Sequence, residues 1–300
     1  MKAPPLDTQT MRSARRFIAR GQFDEAEALI RHALAQEPNL PATHVALAKL
    51  RWPGMDYLEW LGWFHTVLSP GLYVEIGVEK GNSLAQVHAD TQVVGIDPSP
   101  QAQPQARCAG PIQLFRQTSA EFFADVPADC HLQTRGFDLA FIDGDHRFEE
   151  VLADFIALEQ WAAPEAVVLM HDTIPLTSAT STSQRKTGFY SGDAWKIVPC
   201  LRSLRPDLHL VTLPTAPTGL TVVTGLNSAS RILQERLPEI RAAYAALPSA
   251  HVVSTPTAFL ALGKNDRDWM LKWLNQAHAQ LRMQNHGQAA PRGKAHPQQL

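Results

Sequence analysis

The chain has 300 residues, about twice a typical domain, so one large domain with attachments is expected. Its 45% hydrophobic and 19% charged residues exclude a wholly disordered chain. A net charge of −2, from 27 basic and 29 acidic side chains, argues against nucleic acid as the main partner, because a phosphate-tracking surface carries a basic excess. Cys108, Cys130 and Cys200 are odd in number and widely spaced, which fits neither a disulfide framework nor a structural zinc site. The stretch MKAPPLDTQTMRSARRF holds no apolar run of a signal peptide, and no segment approaches the ~18 apolar residues of a membrane span. The expectation is a cytoplasmic protein without a membrane partner.

Residues 1–52 read as a helical arm. Apolar residues recur at helical spacing through Phe17, Ile18, Ala26, Leu29, Ile30, Ala33 and Leu34, with Gly21 as a break and Pro38 as a stop. The order Ala14, Phe17, Gly21, Ala26, Ile30, Ala33, Pro38 resembles one tetratricopeptide unit, and 42–50 resembles the first helix of another. Fewer than two such units cannot bury their own apolar faces, so the arm should pack on the next domain, on a second copy or on a partner protein.

From about residue 70 the pattern becomes that of an α/β domain, placed at 53–227. Strands are expected at Leu72–Ile76, Val93–Asp97, Ile112–Arg116, Phe137–Asp143, Ala166–Asp172, Leu208–Pro214 and Leu220–Thr224. Helices are expected at Ser83–Ala89, Ala120–Asp125, Phe148–Trp161 and Asp193–Leu204. Runs such as VVGID and FDLAFID lack alternation, as strands covered on both faces do. This is a Rossmann-like, doubly wound, mostly parallel seven-stranded sheet, with an antiparallel pair expected at its last edge. A C-terminal helical extension follows at 228–283, with helices near 229–246 and 266–282. Residues 284–300, rich in Gln, Ala, Pro, His and Gly, read as a disordered tail.

Ligands of open parallel sheets bind at the carboxyl ends of the strands. The first strand ends in VEIGVEKGNS, where Gly77 and Gly81 permit a tight turn before a helix expected near Asn82. The second ends at Asp97, an acid able to accept from both hydroxyls of a ribose. Together they describe an adenosine site. Two glycines flanked by Glu75 and Glu79 suit a pyrophosphate poorly and an ammonium and a sulfonium well, which points to S-adenosyl-L-methionine.

VEIGVEKGNS, FIDGDHRFEEVLADF at 141–155 and VVLMHDT at 167–173 resemble successive motifs of a family of class I S-adenosylmethionine-dependent methyltransferases. The subgroup resembled holds small-molecule O-methyltransferases of the macrolide-sugar and catechol type. The segments 192–199 and 217–220 resemble it too, so the likeness spans about 70–227. It implies that Glu75, Gly77, Gly81 and Ser83 hold the methionine part of the cofactor, that Asp97 holds the ribose, and that Ser119 lies by the adenine. It also places Asp143 beside the sulfonium and His146 as the catalytic base.

Asp143 and Asp172 end adjacent strands, so their carboxylates should converge, a set that suits Mg²⁺ or another divalent cation. Relatives place an acid or amide beside the second aspartate, whereas this chain has His171 and Thr173. His171 is therefore either a third metal ligand, favouring a transition ion, or a residue that orients Asp172. The polar stretch 177–188, ending near Arg185 and Lys186, is expected to form a lid over a small-molecule acceptor, with Trp195 and Lys196 as further candidates for the wall. Alternative functions are a related hydroxylase-like metalloenzyme and a tetratricopeptide-type adaptor with a degenerate domain.

Overall fold

A computed structural model describes residues 5–101 and 103–288. Three helices open the chain: α1 (Leu6–Ile18), α2 (Phe23–Gln36) and α3 (Pro41–Arg51). They pack through Ala14, Ile30, Ala33, Leu34, Leu47 and Ala48, all buried. Asp7 at the start of α1 accepts from the Thr43 amide at 2.9 Å and pins α1 to α3.

Helix α4 (Tyr57–Leu68) was not expected from the sequence. A capping box starts it: Asp56 accepts from the amides of Leu58 and Glu59, while the Glu59 carboxylate accepts from the Asp56 amide. Its Trp60, Leu61 and Phe64 are fully buried against the sheet, about 2–3 kcal/mol of burial each.

The sheet contains β1 (Leu72–Ile76), β2 (Gln92–Ile96), β3 (Ile112–Phe115), β4 (Phe137–Ile142), β5 (Ala162–His171), β6 (His209–Leu213) and β7 (Leu220–Thr224). Their order is 3-2-1-4-5-7-6. Strands β1 to β5 are parallel, and β7 enters antiparallel between β5 and β6. The last hairpin thus leaves β6 at the edge, and β7 is the strand that runs against both its neighbours. The expected α/β, Rossmann-like seven-stranded sheet is present, with the strands reversing direction of winding at β1 and β4.

Helices α5 (Ser119–Ala124), α6 (His131–Thr134), α7 (Phe148–Glu159) and α8 (Ile197–Leu204) follow within the domain. Phe122, Leu132, Phe155 and Leu201 from these helices share one buried cluster with β-strand side chains. The opposite face is covered by α4 and by α13 (Arg267–Gln288), through Trp60, Phe64, Met270 and Leu274. Between β7 and α13 lie the short helices α9 (Ile232–Glu235), α10 (Leu237–Tyr244), α11 (Ser249–Ser254) and α12 (Pro256–Phe259).

Three expectations are corrected. The helix at Ser83–Ala89 is only a 3-10 turn at Leu84–Gln86; α4 fills that place on the sheet, and Gly62 makes room for the Gln86 side chain. The expected helix at 229–246 is broken into α9 and α10, with Pro238 in the first turn of the second. Helix α13 runs through Gln288, past the expected end at 282, and the rest of the expected tail, 289–300, lies outside the described residues.

Candidate active site

The carboxyl ends of β1, β2, β4 and β5 open on one cavity of about 670 Å³, a size typical of a site for a cofactor or small molecule. Gly77, at the end of β1, has φ of +89°, and a Cβ there would collide with the carbonyl of Asp143. Only glycine lets the two strand ends approach so closely.

Glu75 is fully buried and does not reach the cavity wall. Tyr73 donates to it at 2.7 Å and Ser83 at 2.5 Å. Burial lifts its pKa to about 8 despite these donors. Ser83 and Gly77 are on the wall; Gly81, with φ of +72°, packs against Pro104 instead. Asp97 also faces the cavity, and its two oxygens accept from the amides of Glu79 at 2.8 Å and Ser99 at 2.7 Å. Ser119, in the first turn of α5, lies on the wall as well.

Two acid–imidazole pairs cross between β4 and β5. His171 Nδ1 stands 3.0 Å from Asp143 Oδ1, and His146 Nδ1 stands 2.6 Å from Asp172 Oδ2. Asp172 has φ of +58°, a left-handed conformation uncommon outside glycine that marks a position held by its surroundings. The Thr218 hydroxyl donates to its Oδ1. The neighbouring imidazoles hold the Asp172 carboxyl below the usual carboxylate range, overcoming its burial. Burial alone would lower His146, but the charges of Asp172 and Asp143 outweigh it and lift its pKa to about 10.

Asp143, His146 and Asp172 bring one potential ligand atom each within 4.8 Å of one another. His171, expected as a third metal ligand, is outside that group; it is buried beneath it, 3.0 Å from Asp143 and 4.1 Å, ring to ring, from Tyr57. Asp172 Oδ2 is buried without an aligned hydrogen-bond donor, since His146 Nδ1 also faces the Tyr190 carbonyl at 3.2 Å.

The segment after β5 reaches the cavity through Phe189 and Tyr190, with Tyr190 stacked over His146 at 5.9 Å. Arg185 does not face the cavity; it donates to the carbonyls of Thr187 and Gly188. Trp195 and Lys196 are also absent from the wall. Trp195 is core, and Lys196 pairs with Asp193 at 2.8 Å.

The arm holds this segment. Asn39 accepts from the Gly188 amide at 2.7 Å, His44 stacks flat on Phe189 at 5.2 Å, and Arg51 donates to the Leu176 carbonyl at 3.1 Å. Tyr57, Thr218 and Asp154 are among the wall residues that have no counterpart among the expected site residues. Tyr57 comes from the overlooked α4, Thr218 from the β6–β7 turn, and Asp154 from α7. The buried acid Asp154 was visible in the sequence only as part of an otherwise apolar helical face.

Residues 74–173 match the family model described as a methyltransferase domain. The matched stretch is a third of the chain. It begins inside β1 and ends just beyond Asp172, so it encloses both crossed pairs. Among solved structures, the O-methyltransferase TomG from Streptomyces achromogenes is similar at 17% identity and a TM-score of 0.43, covering 55% of this chain and 77% of that one. An O-methyltransferase from Bacillus cereus is similar at 14% identity and 0.44, covering 60% and 86%. A putative O-methyltransferase from Klebsiella pneumoniae is similar at 14% and 0.41, covering 66% and 96%. No match is found among curated proteins. Among the described residues, no helix is long and apolar enough to cross a membrane.

Proposed function

We propose that this methyltransferase domain moves the methyl group of S-adenosylmethionine to a hydroxyl of a small molecule. The observation that carries the reading is the opening of the β1 and β2 ends and both acid–imidazole pairs on a single cavity. Gly77, Ser83, Asp97 and Ser119 form the cofactor side. Each Asp97 oxygen keeps a lone pair beyond its one backbone donor, which suits two ribose hydroxyls. Asp143 lies between the two sides, where a carboxylate favours a sulfonium.

Tyr57, Phe189 and Tyr190 give the acceptor side an aromatic lining, fitting a small organic body with a polar edge. In the reaction the sulfonium–methyl bond breaks, the oxygen–methyl bond forms, and the thioether leaves neutral. The hydroxyl proton goes to His146, the one imidazole within the Asp143–Asp172 group. With a pKa near 10 the ring already holds its proton at neutral pH, so base catalysis requires the charge of the two acids to be offset.

The Asp143 and Asp172 carboxylates fit a divalent cation: they converge beside His146, which stays free as the base, and Asp172 Oδ2 is buried without an aligned donor. A cation bound there supplies that offset and acidifies an alcohol. Two carboxylate ligands suit Mg²⁺ or Mn²⁺. His171 orients Asp143 through its Nδ1. The arm serves as the brace of the lid.

Isothermal titration tests the cofactor. Binding of S-adenosylhomocysteine with no binding of NAD is expected, and the reverse would refute it.

A further inference from the structure

His146 is gripped by one short run of chain, 190–194, that lies beyond the stretch matched by the family model. Its Nδ1 faces the Tyr190 carbonyl at 3.2 Å, and the two rings stack with only 10° between their planes. Its own carbonyl accepts from the Ala194 amide at 3.0 Å. Gly192 sits so close to that carbonyl that a Cβ there would collide with it. The Phe148 amide, at the first residue of α7, donates to Asp193 Oδ1 at 2.8 Å. The run therefore holds the ring of His146, its carbonyl and the helix start two residues later.

Asp193 is not on the cavity wall. It is 5% exposed, and its Oδ2 meets Lys196 Nζ at 2.8 Å. Lys196 is 4% exposed and also donates to the Ala245 carbonyl, just past α10, at 2.9 Å. A buried ion pair adds little stability over apolar packing, because desolvating both charges offsets their attraction. What this pair does is hold Asp193 Oδ1 on the Phe148 amide. A base must stand within about 2.6–3.2 Å of the proton it removes, so a small movement of residues 146–148 takes the imidazole out of reach.

We propose that Asp193 is a positioning residue for His146 and that Lys196 keeps it in that role. The path from Ala245 through Lys196 and Asp193 to Phe148 makes the C-terminal extension part of the support of the base. The functional weight of this rests on the reading of His146 as the base. The competing role for Asp193 is to satisfy the first amide of α7, which affects stability and leaves the imidazole where it is.

Two charge-neutral double variants of the full chain separate these roles by nuclear magnetic resonance of ¹³C-labelled histidine rings. Asp193→Ala with Lys196→Met removes the acceptor of the Phe148 amide. Asp193→Asn with Lys196→Met keeps an amide oxygen there, and neither pair leaves a buried charge unpartnered. The His146 resonance is the one lost in His146→Gln. The Ala pair should move it by more than its linewidth, with S-adenosylhomocysteine affinity within about twofold of wild type, and the Asn pair should return it to the wild-type position. An Ala pair that folds with the resonance in place would overturn the assignment, as would a displacement that the Asn pair does not reverse. Should the Ala pair fail to fold, Lys196→Met alone reads the same resonance: movement or broadening supports the assignment, and an unchanged line overturns it. A wild type that binds no S-adenosylhomocysteine would overturn the methyltransferase reading, while the His146 line would still decide the role of Asp193.

Discussion

Replacing Glu75 with Gln removes a titration that burial has moved into the neutral range. The Glu75 carboxyl has a pKa of about 8 in the folded chain against 4.5 for the free group. A raised folded-state pKa means that the folded protein holds its proton while the unfolded chain releases it. Glu75 is therefore best tolerated below about pH 4.5, and the fold loses stability as pH rises through 8. Between those values each pH unit costs about 1.4 kcal/mol, so about 3 kcal/mol is lost from pH 5.5 to 8. Gln has no such titration, and its amide can still meet Tyr73 and Ser83, which now contact Glu75 at 2.7 and 2.5 Å. Urea unfolding followed by tryptophan fluorescence at constant ionic strength gives the stability of both proteins across that range. The wild-type curve should fall relative to the variant's by about 3 kcal/mol toward pH 8. Asp154 titrates in both proteins and cancels in the difference. Parallel curves, within about 0.5 kcal/mol, would refute the placement of Glu75 as a neutral buried acid.

The same geometry gives further expectations. Asp172→Asn removes a carboxylate from the Asp143–His146–Asp172 group, and calorimetry should show Mn²⁺ affinity falling at least tenfold while S-adenosylhomocysteine still binds; unchanged Mn²⁺ binding would remove the metal site. His44→Ala loses the stack on Phe189, so trypsin should cut at Arg185 and Lys186 several-fold faster, with S-adenosylhomocysteine affinity unaltered; equal rates would count against the arm as a brace. Gly77→Ala drives a Cβ into the Asp143 carbonyl at φ of +89°; a thermal scan should show a loss of several degrees or no folded protein. Asp56→Ala removes the carboxylate that accepts from the Leu58 and Glu59 amides at the start of α4, and urea unfolding should show about 1 kcal/mol lost.

The strand ends were legible because the candidate acids sit directly after apolar runs whose length and lack of alternation define buried strands. Asp97, Asp143 and Asp172 each lie immediately past such a run, and parallel topology then brings them to one edge. Glu75, expected beside the methionine part of the cofactor, is off the cavity wall for a reason equally local. It lies inside β1 rather than past it, so its side chain points within the layers and is closed off by Tyr73 and Ser83. Helix α4 escaped notice because Trp52-Pro53 and a run dense in aromatic residues carry no clear polar face. The helix is held by a sheet that only exists once distant strands pair.

The sequence by itself determined the α/β alternation, the parallel core, the glycine turn at Gly77 and the candidate acids. These depend on apolar period and on residues with few conformational alternatives, both local properties. Tertiary structure decided which imidazole faces which acid: His146 reaches Asp172, and His171 lies by Asp143, although each histidine is closer in sequence to the other acid. It also decided that the helical arm touches the segment after β5 and that Asp154 lies on the cavity wall. Those relations join residues tens of positions apart. The physical reason is that burial and pairing are properties of the assembled layers, and no short stretch of chain can specify them.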